Sequence, residues 1–243
     1  MADQPIKRTA IVTGGGKRLG AGIVGALLAD GWRVVAHVHH DADGVPDGAL
    51  KVVADLAAAD CAETIFAAAD GPVALLVNNA ARFQWDGFGE ASPSEFDAHM
   101  AVNARAPMLL IDALAKRHAA DSGALTVNIL DAKLAAPNPD YLSYTLSKYA
   151  AAGLTELAAR ALAGKGIRVN AIAPALMLPS GPQDEADYDR VHALNPLGRG
   201  VEVADVVAAL RFLIDQPAIT GQTLVIDGGQ RFMALARDVQ FVK

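Results

Sequence analysis

Short β-rich runs alternate with alanine- and leucine-rich helical stretches along this chain, and that alternation constrains its fold more than any other feature. The runs are RTAIVTG, RVVAHV, LKVVADL, VALLVNN, ALTVNIL, IRVNAIAP and QTLVIDGG, and the helical stretches lie at 18–30 and near 61–69, 94–117, 141–163 and 202–214. Strand runs this apolar, spaced by helices, read as repeated βα units around a parallel sheet buried on both faces. The expected fold is therefore α/β, a doubly wound parallel sheet of about seven strands with helices on both faces, in a single domain over 1–243. No Gly-, Ser- or Pro-rich linker divides the chain. The exception to the rhythm is LPSGPQDEADYDRVHALNPLG at 178–198, whose length without strand or helix pattern suits a lid or substrate-binding loop, or a solvated surface excursion.

Composition removes several classes of function. The net charge is −6 and basic residues are scattered, so nucleic acid is not an expected partner. A single cysteine, Cys61, rules out an intramolecular disulfide or a cysteine-built metal site and fits a reducing compartment. The apolar run near the start is too short for a signal-peptide core. No stretch approaches the ~18 apolar residues of a membrane span. The expectation is a cytoplasmic protein that acts on a small molecule, without a membrane or a metal.

The first βα unit carries IVTGGGKRLGAGIVGALL. Glycines between a strand and a helix let backbone amides approach a pyrophosphate, and the helix N-terminus adds donors and a favourable dipole. Gly14, Lys17, Arg18, Leu19 and Gly20 are accordingly expected to hold a dinucleotide. Cofactor choice belongs to the tip of the second strand, where an acid would bind a ribose hydroxyl and basic groups would accept a 2′-phosphate. That tip reads His37, Val38, His39, His40 before Asp41. With Lys17 nearby, NADPH is the expected cofactor, and Asp41 keeps NADH open. The three histidines read as strand-end residues in preference to a metal cluster, since no carboxylate or cysteine has ligand spacing.

A proton-handling site is suggested by YTLSK. Tyr144 and Lys148 stand at i and i+4, on one face of a helix. An ordinary phenol titrates near ~10, and a neighbouring ammonium is expected to lower that value toward the working range. Tyr141 fails the same test, because Thr145 stands four residues after it.

The glycine turn, LLVNNA, Asn103, Tyr144 with Lys148, RVNAIAP and VIDGG follow one another in the order and spacing of the short-chain dehydrogenase/reductase family, and from Ile6 to Phe232 the chain resembles it. The resemblance implies a Rossmann fold, hydride transfer with a nicotinamide cofactor and a homo-oligomer, taken here as a homotetramer. It also implies that Asn79, Ala80 and Pro174 lie along the cofactor and Asp55 and Leu56 near the adenine. Lys148 would also hold the nicotinamide ribose, and Asn103 would support a proton relay through water.

Two departures from that pattern agree with each other. Arg18 replaces the middle glycine of the phosphate turn, and Asp131 stands where most members carry a serine thirteen residues before the tyrosine. Both look like the pteridine reductases. AHVHH resembles their His-x-His segment, and Phe83 in NNAARF holds the place of a phenylalanine that stacks on the pterin, although Ala81 and Arg82 replace two serines. The resemblance implies NADPH-dependent reduction of a pteridine such as dihydrofolate, dihydrobiopterin or dihydromonapterin, with Arg18, Phe83, Asp131 and Tyr144 on the substrate. A reductase of ketones, aldehydes or oxoacyl groups, and a nucleotide-binding protein without chemistry, are the alternatives.

Overall fold

The structure, a computed structural model, describes residues 8–119, 123–177 and 191–241. Seven strands form one sheet: β1 (Thr9–Val12), β2 (Arg33–Val38), β3 (Leu50–Val53), β4 (Val73–Asn78), β5 (Ala124–Ile129), β6 (Ile167–Pro174) and β7 (Thr223–Ile226). Their order is β3-β2-β1-β4-β5-β6-β7 and every pair is parallel. The helices α1 (Arg18–Ala29), α2 (Cys61–Ala67), α3 (Pro93–Met100), α4 (Ala106–Arg117), α5 (Leu142–Leu162) and α6 (Val203–Asp215) connect and cover them.

Side chains alternate across a strand, and this decides which helices each residue meets. Ala10 and Val12 of β1 join one core with Ile23 and Leu27 of α1 and Leu210 and Leu213 of α6. Ile11 turns the other way, to Ile65 of α2, Leu110 and Leu114 of α4 and Ala158 of α5. Each fully buried leucine or isoleucine contributes about 1.5–3 kcal/mol. Two such layers make the sheet a rigid platform, and variation is left to the loops at its edges. The chain winds outward from β1 through β2 to β3, then returns to the other side of β1 with β4. The strand order therefore reverses between β1 and β4, and the crevice at their carboxyl ends is where doubly wound sheets bind ligands.

One helical stretch differs from expectation. In place of a uniform helix near 94–117, α3 and α4 are joined by a π-helical turn, Ala101–Arg105. Pro107 has no N–H to offer the carbonyl four residues back, which is Asn103, and its ring crowds that carbonyl. A wider turn at Ala101–Arg105 relieves the clash and places Asn103 inside it. Residues 178–190 of the expected loop lie outside the described residues. Its end passes from helix at 191–192 into a turn closed by Asn195, whose amide donates to the Arg199 carbonyl at 2.7 Å.

Candidate active site

The turn after β1 is shaped by contacts that leave little freedom. Gly14 adopts φ +64°, a left-handed conformation that suits glycine, and its N–H donates to His37 Nδ1 at 3.2 Å. A backbone N–H can only donate, so His37 Nδ1 is the acceptor and its Nε2–H donates to the Ala54 carbonyl at 3.0 Å. Burial lowers the pKa of His37 and holds it neutral. Both ring nitrogens are thus committed to the backbone, and His37 fixes the shape of the turn from beneath. His37 also lines the cavity that opens at this turn. At Gly20 a Cβ would stand 1.9 Å from the Gly14 carbonyl oxygen, so helix α1 starts close to the strand only because that side chain is absent.

Thr13, which the sequence reading passed over, joins the two strands at the switch point. Its hydroxyl oxygen accepts from the Asn79 and Ala80 N–H groups at 3.0 and 3.1 Å. Asn79 Nδ2 returns the link by donating to the carbonyls of Thr13 and Gly14 at 2.9 and 3.2 Å. Arg18 opens α1 at φ 54°, the left-handed region that costs a non-glycine residue about 1–2 kcal/mol. Glycine would adopt this backbone without that cost, and arginine adds a guanidinium.

A cavity of about 780 Å³ starts at this turn, a size suited to a cofactor with a small substrate. Gly14, Lys17, Arg18, Leu19, Gly20, His39, His40, Asp55, Leu56, Asn79, Ala80 and Pro174 all line it. The His39 and His40 rings stack with centroids 4.1 Å apart. Asp41 turns away, its carboxylate 2.9 Å from Lys51 Nζ, and does not line the cavity; Asp43 does. The glycine contacts that forbid a Cβ, together with Lys17 and Arg18, fit a dinucleotide phosphate.

The proton-handling end is built around the start of α5. Asp86, buried in the loop after β4, accepts from the Ser143 N–H at 2.9 Å and from the Ser143 hydroxyl, and its own carbonyl accepts from Leu142 N–H. These bonds satisfy the first donors of the helix and set where Tyr144 points. The Tyr144 hydroxyl donates to Asp131 Oδ2 at 2.8 Å, and Asp131 Oδ1 accepts from the Lys133 N–H at 2.8 Å. Lys148 Nζ donates to the Ile129 carbonyl at 2.7 Å and sits 5.6 Å from the Tyr144 ring centroid.

This geometry reverses one expectation. Burial holds the Tyr144 pKa well above that of an ordinary phenol, and the charge and hydrogen bond of Asp131 push it the same way, with Asp238 adding to them. Burial also draws Lys148 down to about 8. The spacing predicted a lowered phenol, but the hydroxyl meets a carboxylate and the ammonium is spent on a backbone carbonyl. Tyr144 is therefore a neutral phenol that donates a hydrogen bond to the Asp131 carboxylate.

Phe83, which is 36% exposed, lines the cavity beside Tyr144. Its ring stacks on Tyr141, with centroids 4.2 Å apart and planes at 19°, and meets the Tyr144 ring edge-on at 4.7 Å. Tyr141, set aside on spacing, thus backs the ring that faces the cavity; its own φ of 56° is left-handed. Asn103 clamps the same loop, accepting from Arg82 N–H at 2.8 Å and donating to the Arg82 carbonyl and Ser147 Oγ at 3.0 and 2.9 Å. Arg82 forms a two-pronged pair with Glu95 at 2.7 and 2.8 Å. Among the described residues no three metal-ligating side chains come together, and no helix is long and apolar enough to cross a membrane.

The comparisons with known proteins agree with this fold. A family model described as enoyl-(acyl carrier protein) reductase matches residues 16–231. The chain is 35% identical over 235 residues to L-xylulose reductase of Bos taurus, covering 91% of this chain and 96% of that one. It is 33% identical over 291 residues to pteridine reductase 1 of Leishmania tarentolae, covering 94% and 98%. The crystal structure of FolM alternative dihydrofolate reductase 1 from Brucella canis complexed with NADP superimposes with a TM-score of 0.83 at 34% identity, covering 93% of this chain and 94% of that one.

Proposed function

We propose that this chain, which belongs to the short-chain dehydrogenase/reductase family, is an NADPH-dependent reductase of pteridines such as dihydrofolate, dihydrobiopterin or dihydromonapterin. The observation that carries the reading is the Tyr144 hydroxyl held against Asp131 beside the Phe83 ring, with Arg18 lining the same cavity. A pterin is flat and polar, so an aromatic face suits it by offset stacking, worth on the order of 1 kcal/mol beyond buried area. Arg18 brings several donors to the boundary between cofactor phosphate and substrate.

Bound in the groove, a nicotinamide cofactor supplies the hydride. Lys148 would hold its ribose, and Tyr144 with Asp131 would deliver the proton to a pterin ring nitrogen. Asn103 would serve a water relay while it holds the Arg82 loop. Preference for the 2′-phosphate rests on Lys17, Arg18, His39 and His40 at the rim and on the engagement of Asp41 by Lys51. The FolM protein of Brucella canis was crystallised with NADP, and its likeness to this chain supports the same choice here. The reading includes a homotetramer in the cytoplasm, and exposed Leu146, Tyr149 and Leu157 on α5 offer apolar surface for such an assembly.

A second reading is a reductase of a ketose or other carbonyl, favoured by the likeness to L-xylulose reductase. The test is NADPH oxidation by the purified protein with a panel of dihydropterins, dihydrofolate, L-xylulose and simple ketones. Turnover of one dihydropterin well above the carbonyls is the expected result; turnover of carbonyls alone would reject the pteridine reading and keep the Tyr144 chemistry. Failure to oxidise NADPH with every substrate would leave a nucleotide-binding protein without chemistry.

A further inference from the structure

His99 stands in the last turn of α3, wholly buried, close to the site and yet apart from its chemistry. The Gln84 N–H donates to its Nε2 at 3.3 Å. A backbone N–H can only donate, so Nε2 is the acceptor and the ring proton sits on Nδ1. From there it is given to the Glu95 carbonyl at 3.0 Å, with the Glu95 carboxylate 3.2 Å away. That same carboxylate takes both prongs of Arg82, and Ser92 caps α3 by accepting from the Glu95 N–H at 3.2 Å. Arg82, Phe83 and Gln84 all line the cavity. Their loop is therefore tied down on both sides of Phe83, at Arg82 through Glu95 and Asn103 and at Gln84 through His99.

We propose that His99 is a positioning residue for the substrate: by holding the Gln84 backbone it sets the angle at which Phe83 presents its ring to the cavity. This rests on the pteridine reading, in which Phe83 stacks on the substrate. A residue has only two soft backbone dihedrals, so fixing both neighbours of Phe83 leaves its ring little play between Tyr141 and Tyr144. Tyr141 gives no slack either, because the residue before it, Asp140, is buried and gripped by Arg237 Nε and Nη2 at 2.8–3.0 Å. The His99 ring itself lies edge-on to Tyr144, with centroids 6.4 Å apart. Stacking on a flat heterocycle depends on offset and tilt, so a loosened loop is felt as weaker substrate binding, while the glycine turn that faces the cofactor is untouched. A neutral imidazole suits the task because one nitrogen donates and the other accepts.

The test compares full-length His99→Asn and His99→Gln in steady-state kinetics with NADPH and the dihydropterin that the wild type turns over. Glutamine places an amide oxygen near the position of Nε2 and keeps an acceptor for the Gln84 N–H. Asparagine reaches only the position of Nδ1 and leaves that N–H bare. His99→Asn is expected to raise the dihydropterin KM about 3- to 10-fold, with much smaller changes in kcat and in the KM for NADPH, and His99→Gln to recover most of the loss. In a Phe83→Ala background His99→Asn should add little, because both changes act through one ring. An unchanged dihydropterin KM in His99→Asn, or a full further loss in the Phe83→Ala background, would overturn the inference and leave the pteridine reading standing. Equal losses for dihydropterin and NADPH in both variants, with a lowered melting temperature, would also overturn it by assigning His99 a purely structural role. A wild type that reduces no dihydropterin would defeat the pteridine reading itself, and the inference with it.

Discussion

Replacing Lys148 by methionine should abolish turnover and yet make the fold more stable. Lys148 is almost wholly buried, and the fall of its pKa from 10.5 to about 8 is caused by that burial. At ~1.4 kcal/mol per pH unit, holding the ammonium inside the protein at neutral pH costs about 3 kcal/mol relative to the unfolded chain. Methionine fills similar space without a charge, but the Ile129 carbonyl then loses its donor, which returns about 1 kcal/mol. The net gain is about 2 kcal/mol, or about 4–8 °C in Tm for a chain of this size. The pH dependence identifies the cause. Between about 8 and 10.5 the unfolded chain binds more protons at this site than the folded one, so wild-type stability from this group rises with pH through that window. Lys148→Met lacks the site, so its advantage should be full near neutral pH and shrink as pH approaches 10.5. Thermal denaturation of the cofactor-free proteins at several pH values, followed by circular dichroism, measures this directly. A variant less stable than wild type at neutral pH, or a gap that does not narrow with pH, would refute the burial argument.

Further outcomes follow from the same geometry. Arg18→Gly should gain about 1 kcal/mol of stability by relieving the left-handed backbone while raising the KM for NADPH and dihydropterin together; unchanged KM values would remove Arg18 from both sites. Asp131→Asn takes away a charge that opposes phenolate formation, so the Tyr144 titration, read by difference absorbance, should move down toward that of an ordinary phenol as kcat falls; a titration that stays in place would leave burial and the Asp238 charge as its causes. Asp86→Ala strips Ser143 of the acceptor for its N–H and hydroxyl and should cost about 2–4 kcal/mol, with kcat falling more than KM rises because Tyr144 loses its alignment. A melting temperature equal to wild type would show that other contacts hold the start of α5.

Much of the fold was legible because its rules are local. Strand and helix periods, the glycine turn at 14–20 and the i, i+4 spacing of Tyr144 and Lys148 depend on neighbours within a few residues, and the structure keeps all three. Even the departure at Ala101–Arg105 traces to a residue in plain view, Pro107. The supports of the site were not legible in this way. Asp86 reaches Ser143 across 57 positions and Arg237 reaches Asp140 across 97, and nothing in either local pattern marks the partner.

The alternation of βα units and the placing of the phosphate turn and tyrosine-lysine helix were thus determined by sequence alone, through backbone sterics and side-chain period. Tertiary structure decided the chemistry. The order β3-β2-β1-β4 brings Thr13, Asn79 and the His37 clamp to one crevice, and the start of α5 turns the Tyr144 hydroxyl toward Asp131 instead of Lys148. It also withdraws Asp41 onto Lys51. A pKa responds to burial and to charges a few ångströms away in space, and those distances exist only once remote parts of the chain have packed together.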